Sequence, residues 1–155
     1  MSEFNGGNND KMTELQQKIM AHLNMHDVFC RDNGIRLELV SDVMAVSRVK
    51  VAPHLMNASG VVQGGAIFAL CDLAFAGVAN SGNERTVAQT ASISYLRPGT
   101  GKELVATAKP IHRGRRSAVI AVEVVNDEGK SIAIANITGC PLGIPLLPEP
   151  EEARP

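Results

Sequence analysis

The sequence predicts an α+β fold in which an antiparallel sheet wraps around one central helix. Three observations carry that prediction. Residues 66–80 are rich in Ala, Leu and Phe, lack proline and are apolar all round, as in a helix buried on every side. Four strand-like runs follow, at about 86–96, 103–113, 117–126 and 131–140. Their separators are short and turn-rich, which suits antiparallel neighbours, because parallel strands need a crossover of about a dozen residues or more. Strands of about ten residues span some 30 Å, enough to curl around a helix of about 25 Å.

The chain has 155 residues, enough for one domain, expected over 12–143. Residues 1–11 are polar and Gly/Asn-rich and are expected to be disordered. A helix is expected over 12–31, with Leu15, Ile19, Leu23 and Val28 at helical spacing, Thr13 as its N-cap and Gly34 as its stop. Residues 35–52 alternate as one or two strands. Pro53, Gly60, Gly64 and Gly65 then break the pattern before the apolar helix. The turns between the later strands are Pro98–Gly101, Arg113–Arg116 and Asn126–Gly129. Five of the eight prolines lie from Pro141 onward, so 144–155 are expected to form an extended or flexible tail.

Composition excludes several classes of function. Fifteen basic and sixteen acidic residues give a net charge of −1, against the cation excess that nucleic-acid binding requires. Four Phe, one Tyr and no Trp leave no platform for stacking bases. No stretch is long and apolar enough for a membrane span. Cys30, Cys71 and Cys140 are odd in number and form no CxxC pair, so neither a zinc ribbon nor a redox motif is expected. With no apolar leader, the expected compartment is reduced and cytoplasmic. His22 and His26 lie four apart without an HExxH signature and read as a surface helix face. No GxSxG, P-loop or dinucleotide fingerprint is present.

Three features can carry chemistry. Asp72 is the one charged residue of the apolar helix. A lone carboxylate there is costly unless paired, and burial raises its pKa, which makes it a better base; it reads equally as a structural Asp bonded to backbone or facing solvent at a helix edge. Gly60–Gly65 precede that helix. Glycines admit close backbone approach, and the first helical turn offers unpaired N–H groups suited to an oxyanion; the bland reading is a tight entry turn. From 97 to 116 there are six basic side chains against Glu103 alone, including Arg113, Arg115 and Arg116. That excess suits a polyanionic small ligand, or it is a solvated hairpin turn.

Asn57-Ala58-Ser59-Gly60-Val61-Val62-Gln63-Gly64-Gly65-Ala66-Ile67-Phe68-Ala69-Leu70-Cys71-Asp72 resembles the N-x-x-G-x-x-H-G-G-x-x-F-x-L-A-D motif of the PaaI-type hotdog-fold acyl-CoA thioesterases. Tyr95-Leu96-Arg97-Pro98-Gly99 resembles the family's F/Y-L-R-P-G segment. The resemblance covers about residues 35–143. It implies a hotdog fold, a homodimer that builds the active site at its interface, and commonly a homotetramer. It further implies hydrolysis of an acyl-CoA thioester, with Asp72 of one subunit, as general base or nucleophile, facing Gly64 of the other. The Gly64 N–H would polarise the carbonyl and Asn57 would place water or carbonyl. Gln63, Gly65 and Thr90 would contact substrate, while Arg113, Arg115 and Arg116 would hold CoA phosphates. No metal or redox cofactor is implied. Gln63 departs from the family's His; Gln donates a hydrogen bond but carries no proton at neutral pH. That departure keeps a non-hydrolytic acyl-CoA sensor as the alternative, with an enoyl-CoA hydratase or dehydratase behind it, since His54 does not fit the compact His-to-acid spacing of that branch.

Overall fold

The computed structural model describes residues 11–148. The expected disorder of residues 1–11 falls, but for Lys11, outside the described residues, as does the tail beyond Pro148. Helices α1 (Glu14–His26) and α2 (Val28–Asp32) lead to strands β1 (Arg36–Val40) and β2 (Ala45–Lys50). A 3-10 turn (Pro53–Leu55) then precedes α3 (Gly64–Ala79), and strands β3 (Glu84–Tyr95), β4 (Glu103–Arg113), β5 (Ala118–Asn126) and β6 (Ser131–Pro145) complete the chain. The strands form one antiparallel sheet in the order β1-β2-β4-β5-β6-β3. The sheet wraps α3, as the sequence predicts.

The core lies between α3 and the sheet. Ile67, Leu70, Leu73, Ala74, Phe75 and Val78 of α3 meet Val49, Leu104, Ala106, Ile120, Val122 and Val124. Alternation along β4 and β5 buries one face and leaves the other to solvent. Gly139 and Gly77 are packing glycines: a Cβ on Gly139 would lie 2.7 Å from the Phe75 ring, and one on Gly77 would lie 2.9 Å from Ala45 Cβ. Burial of α3 is not complete all round. Gly65, Phe68, Ala69, Asp72 and Ala76 form a partly exposed stripe along it.

Three expectations are corrected. The single helix over 12–31 is two, because Asp27 leaves helical geometry (ψ 85°) and its carboxylate accepts from Cys30 N at 3.0 Å, starting α2 afresh. Thr13 caps α1 as expected, in a reciprocal box with Gln16. The last strand runs past 140 to Pro145. Beyond Gly139 it has a neighbour only in β3, and proline is tolerated where one strand edge is free. The tail expected from 144 is therefore anchored at first, with Leu146 N and Leu147 N donating to Asn83 O and Oδ1 at 2.9 and 2.8 Å.

The two sheet edges differ. Along β1, Asn24 of α1 pairs with Leu37 like a strand residue, donating to its carbonyl at 3.0 Å and accepting from its N–H at 2.7 Å. Val40 N lies 3.4 Å from Met12 Sδ. Nothing described covers β3, which is exposed from Val87 to Leu96 save for half-buried Ile93. No helix among the described residues is long and apolar enough to cross a membrane.

Candidate active site

The start of α3 is built around its cap. Gln63 is extended (φ −63°, ψ 137°), and its Oε1 accepts from Gly65 N and, at 3.2 Å, from Ala66 N. Because both partners donate, the capping atom is the amide oxygen, and Nε2 stays free as a donor. Residue 65 must be glycine for this cap, since a Cβ there would lie 2.6 Å from Gln63 Oε1. The cap uses the second and third amides of the helix. The first, Gly64 N–H, meets no acceptor among the described residues. It carries the open end of the helix dipole.

Gly64 borders a cavity of about 380 Å³ that also takes in Asn57, Leu96, Arg97 and Tyr95. The segments are stitched together by Val62 N donating to Gly99 O at 2.9 Å and by Gln63 N donating to Leu55 O at 2.8 Å. Asn57 Oδ1 accepts from Ser59 N and Val61 N at 2.9 and 3.3 Å, so its amide Nδ2 is the group left to meet a ligand. The structure thus brings together Asn57 and Gly64, two of the three residues that the sequence singled out as catalytic. A residue it had not singled out as a site residue joins them. The Tyr95 hydroxyl donates to Gly64 O at 2.9 Å, and its ring packs where a Gly64 Cβ would be, 3.2 Å away. As the one tyrosine of a chain without tryptophan, standing in a turn-proximal segment, it was the available signal.

On the far side of the same turn, Gln63 and Gly65 border a second cavity of about 260 Å³, with Phe29, His54 and Met56.

Asp72 lies elsewhere. Eight residues beyond Gly64, it is about 12 Å farther along the helix axis, on the partly exposed stripe. No donor among the described residues reaches its carboxylate, so the structural reading of a backbone-bonded Asp finds no partner. Burial first, then the negative charge of Asp27, raises its pKa above the usual aspartate value. Neighbouring Cys71 and Cys30 are pushed up to about 12, chiefly by burial, and stay as thiols. Within one chain Asp72 and Gly64 do not meet.

The arginines lie at the opposite end of α3. Arg113 and Arg115 line a cavity of about 350 Å³ with Glu84 and Thr86. Arg113 Nη2 donates to Val78 O at the helix C-terminus and to Asp42 O at 3.2 Å, where a cation suits the dipole. Arg113 is therefore engaged by the protein, which leaves Arg115 and Arg116 without a partner among the described residues. Thr90 is exposed on β3, opposite Thr138 and just past a register shift after Ala88; it does not reach Gly64 within the chain.

Residues 59–133 match the family model of the thioesterase superfamily. The chain is 34% identical over 110 residues to the acyl-coenzyme A thioesterase PaaI of Escherichia coli, covering 70% of this chain and 79% of that protein. The solved structure of the E. coli PaaI protein superposes with a TM-score of 0.82 at 27% identity, covering 87% of this chain and 99% of that one. A hypothetical thioesterase from Streptococcus pneumoniae, solved with coenzyme A, superposes with a TM-score of 0.74 at 28% identity over 81% and 98% of the two chains. By sequence and by superposition of its fold, the chain belongs to the thioesterase superfamily, as a PaaI-type hotdog thioester hydrolase.

Proposed function

We propose that the protein hydrolyses acyl-CoA thioesters at sites built from two copies of the chain. One observation carries the reading. The Gln63 cap leaves Gly64 N–H as the free amide of a helix N-terminus beside a cavity, while the chain's own unpaired carboxylate is about 12 Å away along the axis. Each chain holds half a site. The uncovered edge of β3 is the surface on which a second copy pairs, and pairing there brings the second copy's Asp72 to the first copy's Gly64. The acyl-CoA substrate is supported by the E. coli relative, an acyl-coenzyme A thioesterase, and by the coenzyme A in the S. pneumoniae structure.

In the proposed reaction the thioester carbonyl oxygen accepts from Gly64 N–H, and the Asn57 amide fixes the carbonyl or the attacking water. Asp72 takes a proton from that water or attacks the carbonyl itself. Negative charge develops on the oxygen facing the helix N-terminus, where fixed donors stabilise it most. The C–S bond then breaks, and CoA leaves as a thiolate that takes up the proton held by Asp72 or one from solvent; where Asp72 itself attacked, a water then opens the acyl-Asp72 anhydride, which frees the acid and restores the carboxylate. Of the three arginines of the 113–116 turn, Arg115 and Arg116 are the ones left without a partner among the described residues and are assigned to the CoA phosphates. Gln63 has no titratable proton, so in this reading the acid–base work falls to Asp72.

The test is thiol release from short, medium, long and aromatic acyl-CoAs, with wild type and Asp72→Asn side by side. The expected outcome is a fall in kcat of roughly 10²–10⁴-fold with KM little changed. Wild-type turnover by the variant sinks the role of Asp72. CoA binding without turnover by the wild type makes the protein a sensor, and loss of enoyl absorbance from a 2-enoyl-CoA makes it a hydratase.

A further inference from the structure

We infer that Asp27, at the break between α1 and α2, is a positioning residue that sets the charge environment of Asp72 from the N-terminal segment. The inference rests on the reading of Asp72 as the reacting carboxylate.

A chain of contacts carries it. The Asp27 carboxylate is fixed in place because its Oδ1 accepts from Cys30 N at 3.0 Å as the cap of α2. Cys30 is 4% exposed, and its Sγ lies 3.9 Å from the carbonyl of Ala69 on α3. Ala69 and Asp72 are three apart and share a helix face. The short helix α2 therefore docks on the stripe that carries Asp72, with the capping carboxylate at its leading end. The chain breaks its first helix at this point, and the break is what sets an acidic cap beside the stripe.

The groups around Asp72 make Asp27 the one with leverage. From α2 and α3 the titratable neighbours are Cys30 and Cys71, both held as neutral thiols. The sheet faces α3 with apolar side chains and with the Ser47 hydroxyl, which donates to Leu70 O at 2.7 Å. Among the described residues of one chain, Asp27 is the charged group that acts on Asp72, and it acts in the same direction as burial. A like charge strengthens a carboxylate as a proton acceptor. The N-terminal segment thus takes part in the chemistry without touching substrate.

Asp27→Asn and Asp27→Ser test this, because Asn and Ser also cap helices and keep α2 while removing the charge. Two readouts are made on the full chain: an NMR titration of the Asp72 carboxyl carbon, and the pH profile of kcat/KM for acyl-CoA hydrolysis. In both variants the Asp72 midpoint and the acidic limb are expected to move down by roughly half a pH unit, with plateau kcat lower by roughly two- to fivefold. An unmoved Asp72 midpoint in both variants overturns the inference, as does an unmoved acidic limb. Asp72→Asn in the same assay separates the two claims. If it retains turnover while the midpoint moves in the Asp27 variants, the catalytic reading fails and the electrostatic coupling stands.

Discussion

Asp72 is held where an ionised carboxylate is costly, and that cost has a sign. Its native pKa is raised above the ordinary value of 3.8 by burial and by Asp27. Such a group favours the fold fully below its unfolded pKa, and that contribution is lost as pH rises through the raised native value. At neutral pH the charged form therefore works against folding. Asp72→Asn is expected to raise Tm by about 1–3 °C at pH 7, with the gain shrinking as pH falls toward 4; calorimetry across that range checks it. With Asp72 in its proposed role, this is the usual opposition between activity and stability at a reactive group. Asp72 and Gly64 stood out in the sequence because each sits in a context that packing alone does not call for, and Asn57 stood out through the family motif it matches. Asp27 was not, because a single acidic residue in a helical run looks like solvated surface until the backbone shows the break. Arg113 shows the opposite limit: its place in a basic turn suggests a free cation, while tertiary folding turns its Nη2 onto the end of α3.

At the scale of elements, the apolar helix and the four later strands were legible from periodicity and turn chemistry, whereas the ends were set by tertiary contacts. β6 outruns its expected end because β3 offers a partner to residues whose prolines suggested a tail. Helix α3 also holds a test of packing against propensity. Gly77 lies in its interior, where alanine is ordinarily better by about 1 kcal/mol. Here the added Cβ would meet Ala45 Cβ and Leu37 Cδ2, each at 2.9 Å. The Ala45 methyl is tied to the strand backbone and cannot swing away. Overpacking costs about 1–3 kcal/mol, and with the backbone-tied Ala45 methyl unable to give way the clash prevails, so Gly77→Ala is expected to lose up to about 2 kcal/mol of stability in urea unfolding. An increase in stability would show that the helix can shift away from β2.

At the scale of the whole molecule, the sequence names the parts of a site that one folded chain does not assemble. Gly64 and Asp72 belong to one motif but sit about 12 Å apart along α3, so the proposed catalyst is a property of two copies. No single-chain pattern states that; the long β3 edge, uncovered among the described residues, is what points to it. The opposite edge has a consequence of its own. A sheet with two open edges can add copies without limit, whereas a sheet with one open edge stops growing once that edge is paired about a two-fold axis. Asn24, bonded to both backbone groups of Leu37, occupies that edge and is expected to stop such growth there. Asn24→Ala is expected to leave thioester turnover intact at low concentration while sedimentation shows assemblies that lengthen as concentration rises. A variant that sediments as the wild type does would place the stop elsewhere along α1.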